Sequence, residues 1–371
     1  MSTDPSLAMF TSQAKLEELL ELLKDSESLL ILTHDNPDPD AISAASCLRF
    51  IISKRLPTKV RVGYGGMVGR AENRRMLRFL KIHTVRLTET RIRKYKSILL
   101  IDTQPHTGNN SLPRRMQVKG VIDHHPERKS TQAQFTDIRP DYGAVATILA
   151  EYLFASGLDI PTNLATALFY GIASETQDLG REVSEADAAA YLRLFPKANK
   201  RLLSKIRRPV VKREHFAYLA RAITNAVTYK HTIASCLGRV DNPDVVAQVA
   251  EMLLTLERMT WSLATGRYRD TVLVSVRTTR VKGRAGAVAR RIVGSGGTAG
   301  GHDMVGGGQV DCEDKTEKQR DEIEHRIVEI FFRLRGKPEA GESTPLVAAE
   351  KEERRAEEEP RTPGQQNGDL T

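Results

Sequence analysis

Three short segments of the chain place carboxylates and imidazoles directly after an apolar run. The first is THDNPDPDA, the second ends SILLID and the third ends KGVIDHH; together they supply His34, Asp38, Asp40, Asp102, Asp123, His124 and His125. Each apolar run is typical of a buried strand in a parallel sheet. Because the carboxyl ends of neighbouring strands share one crevice in an open α/β sheet, we expect these side chains to converge.

A converging cluster of this composition predicts a divalent-metal site. Carboxylates close together repel one another and retain protons unless a cation lies among them. Carboxylates mixed with imidazoles suit Mn²⁺, with Mg²⁺ as an alternative that prefers oxygen ligands. Two ions about 3.5 to 4 Å apart, bridged by one carboxylate, can generate a bridging hydroxide for phosphoester hydrolysis. For Asp40, the alternative is to cap the helix that follows it.

A glycine-rich stretch, SGGTAGGHDMVGGG, predicts a second binding element. Backbone amides around Gly300 and Gly301 can cradle an anion, and His302 can add a hydrogen bond or a positive charge. A flexible hairpin without a ligand is the alternative. Arg277, near the end of the run DTVLVSVRTT, and the basic stretch 280–291 are candidates to contact a remote phosphate or base, with solvated arginines as the alternative.

The elements that must position these groups alternate between strand and helix. Apolar runs predict strands near residue 28 and over 58–63, 97–102 and 119–125, and helical spacing predicts helices over 14–24, 40–54, 70–80, 144–157, 162–174 and 185–194. The alternation predicts an α/β fold for residues 1–194, with helices on both faces of a parallel sheet.

The pattern changes after residue 194. Residues 195–225 are predicted to form a helical, basic connector, and residues 226–336 a smaller C-terminal α/β domain. Residues 337–371, rich in Glu, Arg, Pro and Gly, are predicted to form a disordered charged tail. A cleft between the two domains would hold a small, two-ended ligand better than a long duplex.

Length, charge and cysteine content limit the class of protein. The 371 residues exceed one usual core, which predicts two domains. The net charge is +9; because residues 337–371 carry five basic and nine acidic side chains, the rest carries +13 and favours an anionic partner. No run of ~18 apolar residues occurs, and the cysteines Cys47, Cys236 and Cys312 lack metal or redox spacing. We therefore expect a cytoplasmic protein that does not associate with membranes.

The motifs together resemble the DHH phosphoesterase superfamily. The resemblance rests on the D-H-H at 123–125, on HDNPDPDA and LLIDTQ, and on AGGHDMVGGG, which is similar to the G-G-H motif of the DHH-associated C-terminal domain. It spans roughly residues 28 to 310. The resemblance implies that His34 and Asp38 hold one metal, that Asp40 and His124 hold the second and that Asp102 bridges them. It also implies that His125 faces the substrate phosphate and that Asp123 orients a histidine.

The fourth motif of the family departs from its usual form. The family has an aspartate between Thr or Ser and Thr, after a Gly-Ile pair, whereas this chain reads GIASETQDLG. By alignment the ligand is Glu175, one methylene longer than aspartate. Asp178 is the alternative if the helix continues far enough to place it on the same face. The longer ligand puts catalytic efficiency in doubt rather than the type of reaction.

The resemblance implies a Mn²⁺-dependent hydrolase of short nucleotides, similar to nanoRNases and oligoribonucleases. Its expected substrates are dinucleotides and other very short RNAs, 3′-phosphoadenosine 5′-phosphate or cyclic dinucleotides, and not a long duplex. Pyrophosphate or polyphosphate hydrolysis is an alternative, against which the glycine motif around His302 argues. A non-catalytic nucleotide-binding sensor is a further alternative, and the only feature that favours it is Glu175 in place of the usual aspartate. Oligomeric state is left open, with a homodimer as one alternative.

Overall fold

The chain divides into two compact units, which are described separately below. The computed structural model describes residues 5–180, 183–301, 303–336 and 343–347, and the units are Met1–Val210 and Val211–Thr371. Their boundary falls inside the segment 195–225 that is predicted to be a connector. Within the described ranges, no helix has both the length and the apolar character to cross a membrane.

The first unit alternates strands with helices. Its strands are β1 (Ser28–Leu32), β2 (Lys59–Tyr64), β3 (Val85–Arg86), β4 (Ile98–Ile101), β5 (Val118–Asp123) and β6 (Ala133–Ile138). Its helices are α1 (Pro5–Leu23), α2 (Pro39–Arg55), α3 (Ala71–Phe79), α4 (Glu89–Ile92), α5 (Val145–Ala155), α6 (Thr162–Glu175), α7 (Glu185–Leu194) and α8 (Lys200–Arg207).

All neighbouring strands of the first sheet are parallel, in the order β3, β2, β1, β4, β5, β6. The winding direction reverses between β1 and β4, so the carboxyl ends of β1, β4 and β5 lie side by side. Leu29 and Ile31 of β1 enter the core on one face, and Leu30 and Leu32 enter the core on the other. Burial on both faces explains why each strand reads as an unbroken apolar run.

Helices lie on both faces of this sheet, as the sequence predicts. On one face α2 packs against α5 and α6, and α1 packs against α5, with Leu19 and Ile42 in the shared core. On the other face Ile92 of α4 is buried together with Leu112, which follows β4. The large helices therefore cover mainly one face, and a short helix and loops cover the other.

The second unit contains a seven-stranded sheet and four helices among its described residues. The strands are β7 (Val227–Tyr229), β8 (Thr232–Arg239), β9 (Trp261–Tyr268), β10 (Thr271–Thr278), β11 (Gly297–Gly301), β12 (Val305–Asp311) and β13 (Thr344–Pro345). The helices are α9 (Arg213–Thr224), α10 (Asp244–Leu253), α11 (Ala285–Val293) and α12 (Glu317–Leu334). The strand order is β11, β12, β10, β9, β8, β7, β13, and only β8 and β9 pair in parallel.

The segment 195–225 contains two α-helices, α8 and α9, which belong to different units. In the first unit, Arg75 of α3 donates from Nη1 to the carbonyl oxygens of Lys205 (2.8 Å) and Arg208 (3.2 Å), at the end of α8. In the second unit, Ser235 Oγ of β8 donates to the carbonyl oxygen of Ala222 in α9 at 2.8 Å. Each helix is therefore anchored by hydrogen bonds to its own unit.

The glycine-rich stretch folds as the hairpin β11–β12, which forms one edge of the second sheet. Close approach of α11 to the hairpin requires its glycines: a Cβ on Gly306 would lie 2.4 Å from the carbonyl oxygen of Ala285, and one on Gly286 would lie 2.3 Å from that of Gly301. The stretch therefore forms a hairpin whose packing requires glycine, and anion binding by it stays a prediction. The predicted disordered tail lies outside the described residues except at 343–347, where β13 pairs with β7.

Sequence patterns missed three elements of the first unit, β3, α4 and β6. β3 has two residues and α4 has four, too few to display a period. β6 is an edge strand, AQFTDI, in which only Phe135 and Asp137 are buried. The sheet therefore has one more strand on each side than its apolar runs reveal.

Asp187 connects the beginning of α7 to the beginning of α5. Its Oδ2 accepts hydrogen bonds from the backbone N–H of Gly143 (2.7 Å), and from the N–H (2.8 Å) and hydroxyl (2.6 Å) of Ser184. Its Oδ1 accepts a hydrogen bond from the Thr147 hydroxyl at 2.5 Å. The carboxylate is fully buried, so water could not satisfy these four donors if the carboxylate were removed.

We expect Asp187→Ala to lower the free energy of unfolding by about 2–4 kcal/mol, because buried donors lose a charged acceptor and α7 loses its capping box. Urea unfolding followed by circular dichroism measures this change. Glu185→Ala, at an exposed position of the same helical turn, is the matched control and should change stability by no more than about 0.5 kcal/mol. Equal effects of the two substitutions would contradict the proposed connection.

Candidate metal centre

Asp102 lies among three imidazoles at the carboxyl end of β4. Its Oδ2 is 3.6 Å from His34 Nε2, and its Oδ1 is 3.5 Å from both His124 Nε2 and His125 Nδ1. Among the described residues, two groups have potential ligand atoms within 4.8 Å of one another: Asp102 with His124 and His125, and Asp102 with His34 and Asp38. The segments after β1, β4 and β5 therefore converge, with Asp102 common to both groups.

The carboxylate of Asp102 is held in an unfavourable environment. Its side chain is buried, and Oδ1 accepts no hydrogen bond from the described residues. Burial first, and then the charges of four carboxylates, raise the pKa of Asp102 well above its ordinary value; these are Asp38, Asp40, Asp123 and Glu175. Its backbone is also left-handed, with φ of +59°. A buried acceptor without a donor indicates a site for a cation.

His124 directs its Nε2 at this carboxylate. Its Nδ1 is 3.1 Å from the carbonyl oxygen of Tyr142, and because a carbonyl only accepts, Nδ1 carries the proton and donates it. In the tautomer with its single proton on Nδ1, Nε2 carries a lone pair and faces Asp102 Oδ1, so that two acceptors meet across 3.5 Å. A cation between them removes the conflict, and both are ligands that Mn²⁺ accepts. The residues present therefore fit a divalent metal.

Asp38 caps helix α2 and also lies within the cluster around Asp102. Its Oδ1 accepts a hydrogen bond from the backbone N–H of Ala41 at 3.0 Å, which caps α2, and its Oδ2 lies 3.9 Å from His34 Nε2. Burial raises the pKa of Asp38, but the neighbouring His34 imidazole outweighs burial and lowers it to about 2. Burial lowers the pKa of His34, but Asp38 outweighs it and leaves that pKa raised.

Asp40 caps a helix that is distant in sequence. Its Oδ2 and Oδ1 accept hydrogen bonds from the backbone N–H groups of Val145 and Ala146, both at 2.8 Å, at the N-terminus of α5. The alternative that Asp40 caps the helix that follows it is therefore wrong, because Asp38 caps α2. Burial, followed by the charges of Asp38 and Glu175, raises the pKa of Asp40 well above its ordinary value. Ligation of a second metal by Asp40 stays a prediction.

Asp123 holds the second histidine of the D-H-H motif. Its Oδ1 accepts hydrogen bonds from His125 Nδ1 (2.8 Å) and from the backbone N–H groups of His124 (2.9 Å) and His125 (3.2 Å). Burial raises the pKa of Asp123, but hydrogen bonding and the charge of His125 outweigh burial and lower it. This geometry supports the orienting role that the resemblance implies for Asp123.

The fourth motif separates its two candidate ligands. Glu175 ends α6, and its charge contributes to the raised pKa values of Asp102 and His34, which places it near the cluster. Asp178 is exposed, has a left-handed backbone with φ of +53°, and accepts a hydrogen bond from Arg207 Nη2 at 2.6 Å. Because α6 ends before Asp178, that residue does not share the helix face of Glu175. The geometry favours Glu175.

The predicted substrate residues of the second unit lie on or beside the glycine hairpin. Gly301 has φ of +130°, which favours glycine, and no described atom lies within 4 Å of a Cβ built on Gly300. The backbone at Gly300 is therefore open to a close approach. His302, which follows them, lies outside the described residues.

Arg277 is fixed against the same hairpin. Its Nη1 donates to the hydroxyl of Ser275 at 2.8 Å and to the carbonyl oxygen of Gly306 at 3.4 Å, and its Nη2 is 3.2 Å from Glu251 Oε1. The guanidinium is largely covered, because only 11% of its side chain is exposed. The position beside the glycine motif is as predicted, and contact with a substrate stays a prediction.

Gln104 is a support of the site that sequence reasoning missed. Its Nε2 donates to Asp123 Oδ2 at 2.8 Å and to the carbonyl oxygen of Pro126 at 3.2 Å, and its Oε1 accepts from Arg128 N (2.9 Å) and the Thr131 hydroxyl (2.7 Å). This buried amide therefore ties the segment after β4 to the D-H-H turn after β5. Its only sequence signal is its position two residues after Asp102.

Arg139 and its partners are a second support that sequence reasoning missed. They hold the Tyr142 carbonyl, which accepts the hydrogen bond from His124 Nδ1. Arg139 makes a bidentate pair with Asp137 (2.8 and 2.7 Å) and donates from Nη1 to Glu151 at 2.7 Å. Its carbonyl oxygen accepts a hydrogen bond from Tyr142 N at 3.1 Å, and Tyr142 also donates its hydroxyl to Glu151 at 3.0 Å. This largely buried ion network fixes the turn that orients His124.

Comparison with known families assigns both units. Residues 28–172 match the DHH family N-terminal domain, and residues 230–329 match the DHHA1 domain. The chain therefore belongs to the DHH family and combines a DHH domain with a DHHA1 domain. The nanoRNase branch within that family stays a prediction.

Individual relatives are similar to parts of the chain. An uncharacterized protein of Methanocaldococcus jannaschii is 36% identical over 273 residues, which are 72% of this chain and 56% of that protein. A probable manganese-dependent inorganic pyrophosphatase of Brevibacillus brevis is 30% identical over 171 residues, 44% of this chain and 53% of that protein. The chain thus spans about half the length of these relatives.

The fold also has a counterpart among solved structures. An exopolyphosphatase-related protein from Bacteroides fragilis superposes with a TM-score of 0.67, covering 87% of this chain and 98% of that chain at 14% sequence identity. At this level of identity the likeness concerns the fold alone.

We expect Gln104→Leu to weaken Mn²⁺ binding by about tenfold, because Asp123 and the D-H-H turn lose the amide that fixes them. Isothermal titration of Mn²⁺ into the full chain measures the affinity. Gln134→Leu, at an exposed position of β6, is the matched control and should leave the affinity unchanged. Wild-type affinity in the Gln104 variant would show that this amide does not support the metal centre.

Proposed function

We propose that the chain is a metal-dependent phosphoesterase that hydrolyses short nucleotides, with Mn²⁺ as the preferred ion and Mg²⁺ as the alternative. The observation that carries this proposal is the buried Asp102 carboxylate, which lies within 3.6 Å of three imidazoles and accepts no hydrogen bond at Oδ1 from the described residues. The residues proposed to hold metal are His34, Asp38, Asp40, Asp102, His124 and Glu175.

When bound, divalent manganese supplies Lewis acidity that polarises a phosphoryl oxygen and lowers the pKa of a coordinated water. The chain contributes the fixed donor set around Asp102. His124 is held by the Tyr142 carbonyl, and Asp38 by the Ala41 N–H at the beginning of α2, so these ligands are oriented before metal arrives. Preorganisation of this kind reduces the reorganisation needed during the reaction.

His125 is the proposed contact to the reacting phosphate. Its Nδ1 is 2.8 Å from Asp123 Oδ1, and because an ionised carboxylate only accepts, Nδ1 donates in this hydrogen bond. The opposite ring nitrogen, Nε2, is therefore the one proposed to act on the substrate, by a hydrogen bond to a phosphate oxygen or by proton transfer to the leaving oxygen. Asp123 acts through His125 and does not contact the substrate.

Nucleotides are favoured as substrates by the second unit. The DHHA1 domain adds the glycine hairpin, with an open backbone position at Gly300 and Arg277 fixed nearby. These groups would bind a part of a nucleotide that an inorganic anion lacks. Gly300, Gly301, His302 and Arg277 are therefore the proposed substrate-binding residues, and dinucleotides, 3′-phosphoadenosine 5′-phosphate and cyclic dinucleotides are the proposed substrate class.

Pyrophosphate hydrolysis is the second candidate. It is favoured by the 30% identity to the probable manganese-dependent pyrophosphatase of Brevibacillus brevis, although that identity covers only 44% of this chain. An inorganic substrate needs the metal centre alone and leaves the glycine hairpin without a role. Short nucleotides therefore remain the leading proposal.

A substrate panel tests both candidates. The full chain is assayed with Mn²⁺ and with Mg²⁺ on RNAs of two to five nucleotides, 3′-phosphoadenosine 5′-phosphate, cyclic dinucleotides and pyrophosphate. We expect a nucleotide to have the highest kcat/KM, and Asp102→Asn to lower that value by about 10³-fold or more, roughly 4 kcal/mol, because the shared carboxylate is lost. Pyrophosphate as the best substrate would overturn the leading proposal, and tight nucleotide binding without turnover would indicate a sensor.

The fourth-motif ligand is tested by a pair of substitutions. We expect Glu175→Gln to lower kcat by about 10²-fold or more, because a charged ligand becomes neutral. Asp178→Asn, which weakens the exposed contacts of Asp178 with Arg207 and the Tyr191 hydroxyl, should change kcat less than about twofold. Steady-state kinetics at saturating Mn²⁺ measure both. The reverse order of effects would assign the ligand to Asp178.

A further inference from the structure

The loop after β4 is fixed by its own polar side chains. Thr103, which directly follows Asp102, is buried, and its hydroxyl donates a hydrogen bond to Asn109 Oδ1 at 2.6 Å. The same hydroxyl accepts a hydrogen bond from Asn110 Nδ2 at 2.8 Å. Because a threonine hydroxyl has one proton to donate, its donor and one of its lone pairs are used here. The side chain next to Asp102 is therefore held in one orientation by two asparagines.

Asn110 closes this loop on itself. Its Nδ2 also lies 2.9 Å from the carbonyl oxygen of Gln104 and 2.9 Å from Thr107 Oγ1, and its Oδ1 accepts a hydrogen bond from the backbone N–H of Leu112 at 3.2 Å. The two amide protons of Asn110 thus face three oxygens from the beginning of the loop, so that the chain returns on itself over residues 103–110. We call Thr103, Thr107, Asn109 and Asn110 the Thr/Asn cluster.

Asn109 connects two segments that carry proposed metal ligands. Its carbonyl oxygen accepts a hydrogen bond from the backbone N–H of Asp35 at 2.7 Å, and Asp35 directly follows His34. Its side-chain oxygen accepts the hydrogen bond from Thr103, which directly follows Asp102. His34 Nε2 and Asp102 Oδ2 are 3.6 Å apart. One residue therefore bonds next to both of these side chains and contributes to their separation.

The same contacts account for the backbone of Asp102. Its φ of +59° is unfavourable for a residue with a Cβ, and such a conformation persists where the surrounding structure determines it from several sides. On one side the N–H of Asp102 donates to the carbonyl oxygen of Ile122 in β5 at 3.0 Å. On the other side Thr103 is held by the Thr/Asn cluster. The chain is thus fixed immediately before and after Asp102, whose carboxylate lies against the imidazoles of His34 and His124.

We propose that Thr103 and Asn109 are positioning residues, which hold Asp102 in its left-handed conformation and thereby keep its carboxylate at the metal centre. Both act through Asp102 and contact neither metal nor substrate. Loss of a group that orients a metal ligand typically weakens metal binding by about 10- to 100-fold. The inference rests on the proposed function for the presence of metal, whereas the conformation of Asp102 can be tested without metal and without turnover.

A matched pair of substitutions at residue 103 tests the effect on metal binding. Thr103→Val keeps the shape of the side chain and removes the hydroxyl, whereas Thr103→Ser keeps the hydroxyl and removes a methyl group. Isothermal titration of Mn²⁺ into the full chain should give an affinity about tenfold weaker for Thr103→Val and within about twofold of wild type for Thr103→Ser. Wild-type affinity in Thr103→Val, or an equal loss in both variants, would show that the hydroxyl does not position the site.

Asn109→Ala removes the acceptor of the Thr103 hydroxyl from the other side. The Asn109 side chain is exposed, so circular dichroism should show an unchanged fold, and its backbone carbonyl remains available to Asp35. We expect this variant to weaken Mn²⁺ binding in the same direction as Thr103→Val. Wild-type affinity in Asn109→Ala would exclude Asn109 from the positioning role.

A double-mutant cycle without metal tests the conformation of Asp102. In EDTA, Asp102→Gly should raise the urea midpoint of the otherwise wild-type chain, because glycine adopts a positive φ without strain and the buried charge is lost. In the Thr103→Val background the rise should be smaller, since Asp102 is then free to leave the left-handed region before it is replaced. An equal or larger rise in that background would overturn the proposal, because the hydroxyl would then not hold Asp102.

These measurements separate the positioning role from the proposed function. If the wild-type chain binds no Mn²⁺ and hydrolyses no substrate, the proposed function is wrong, and the metal-free cycle still decides whether Thr103 holds Asp102. If the chain hydrolyses a nucleotide while the two rises in the urea midpoint are equal, only the positioning role is lost.

Discussion

Mutual repulsion among buried carboxylates is the constraint around which the first unit is built. Asp102 lies among other carboxylates that raise its pKa, and its Oδ1 accepts no hydrogen bond from the described residues. In a parallel sheet, adjacent strand ends make such a concentration of charge possible, since side chains after β1, β4 and β5 arrive at one place. The fold must then counter the charge with donors from elsewhere in the chain.

Backbone amides at helix N-termini supply part of that compensation. Asp38 accepts from the first turn of α2, and Asp40 accepts two amides from the first turn of α5. A helix N-terminus combines unpaired N–H groups with the positive end of the helix dipole, so it favours an ionised carboxylate. Asp102 Oδ1 accepts no such hydrogen bond from the described residues, and Asp102 is the carboxylate shared by both ligand groups.

Residues near in sequence to a recognisable motif could be predicted, whereas contacts between distant segments could not. The strand-end runs gave the parallel sheet and the convergence of Asp102 with His34 and His124, because burial and strand direction are encoded locally. The reach of Asp40 to α5, 105 residues away, has no local signal. Nor does the Gln104 amide, whose partners become visible only when the loops after β4 and β5 meet. Edge strands were missed because half of their side chains face solvent.

The glycines of β11–β12 are compatible with a flexible loop or with a loop that binds an anion. The structure adds a third reason for glycine at these positions. α11 lies so close to the hairpin that carbonyl oxygens of Ala285 and Gly301 occupy the space where side chains at Gly306 and Gly286 would stand. Composition alone cannot separate this steric demand from flexibility, since both select glycine. Helix α11 and the hairpin are thereby joined as one packed element of the second unit.

At Asp102 the left-handed backbone lowers the stability of the fold, whereas the carboxylate serves the proposed function. A non-glycine residue at φ of +59° costs on the order of 1 kcal/mol or more, and its buried charge adds to that cost. Glycine there would relieve both but would remove the carboxylate. Selection for thermal resistance alone, without metal and without demand for activity, would therefore accumulate substitutions at residue 102 first. An aspartate at such a position is therefore expected of a site kept for its chemistry rather than for its contribution to folding.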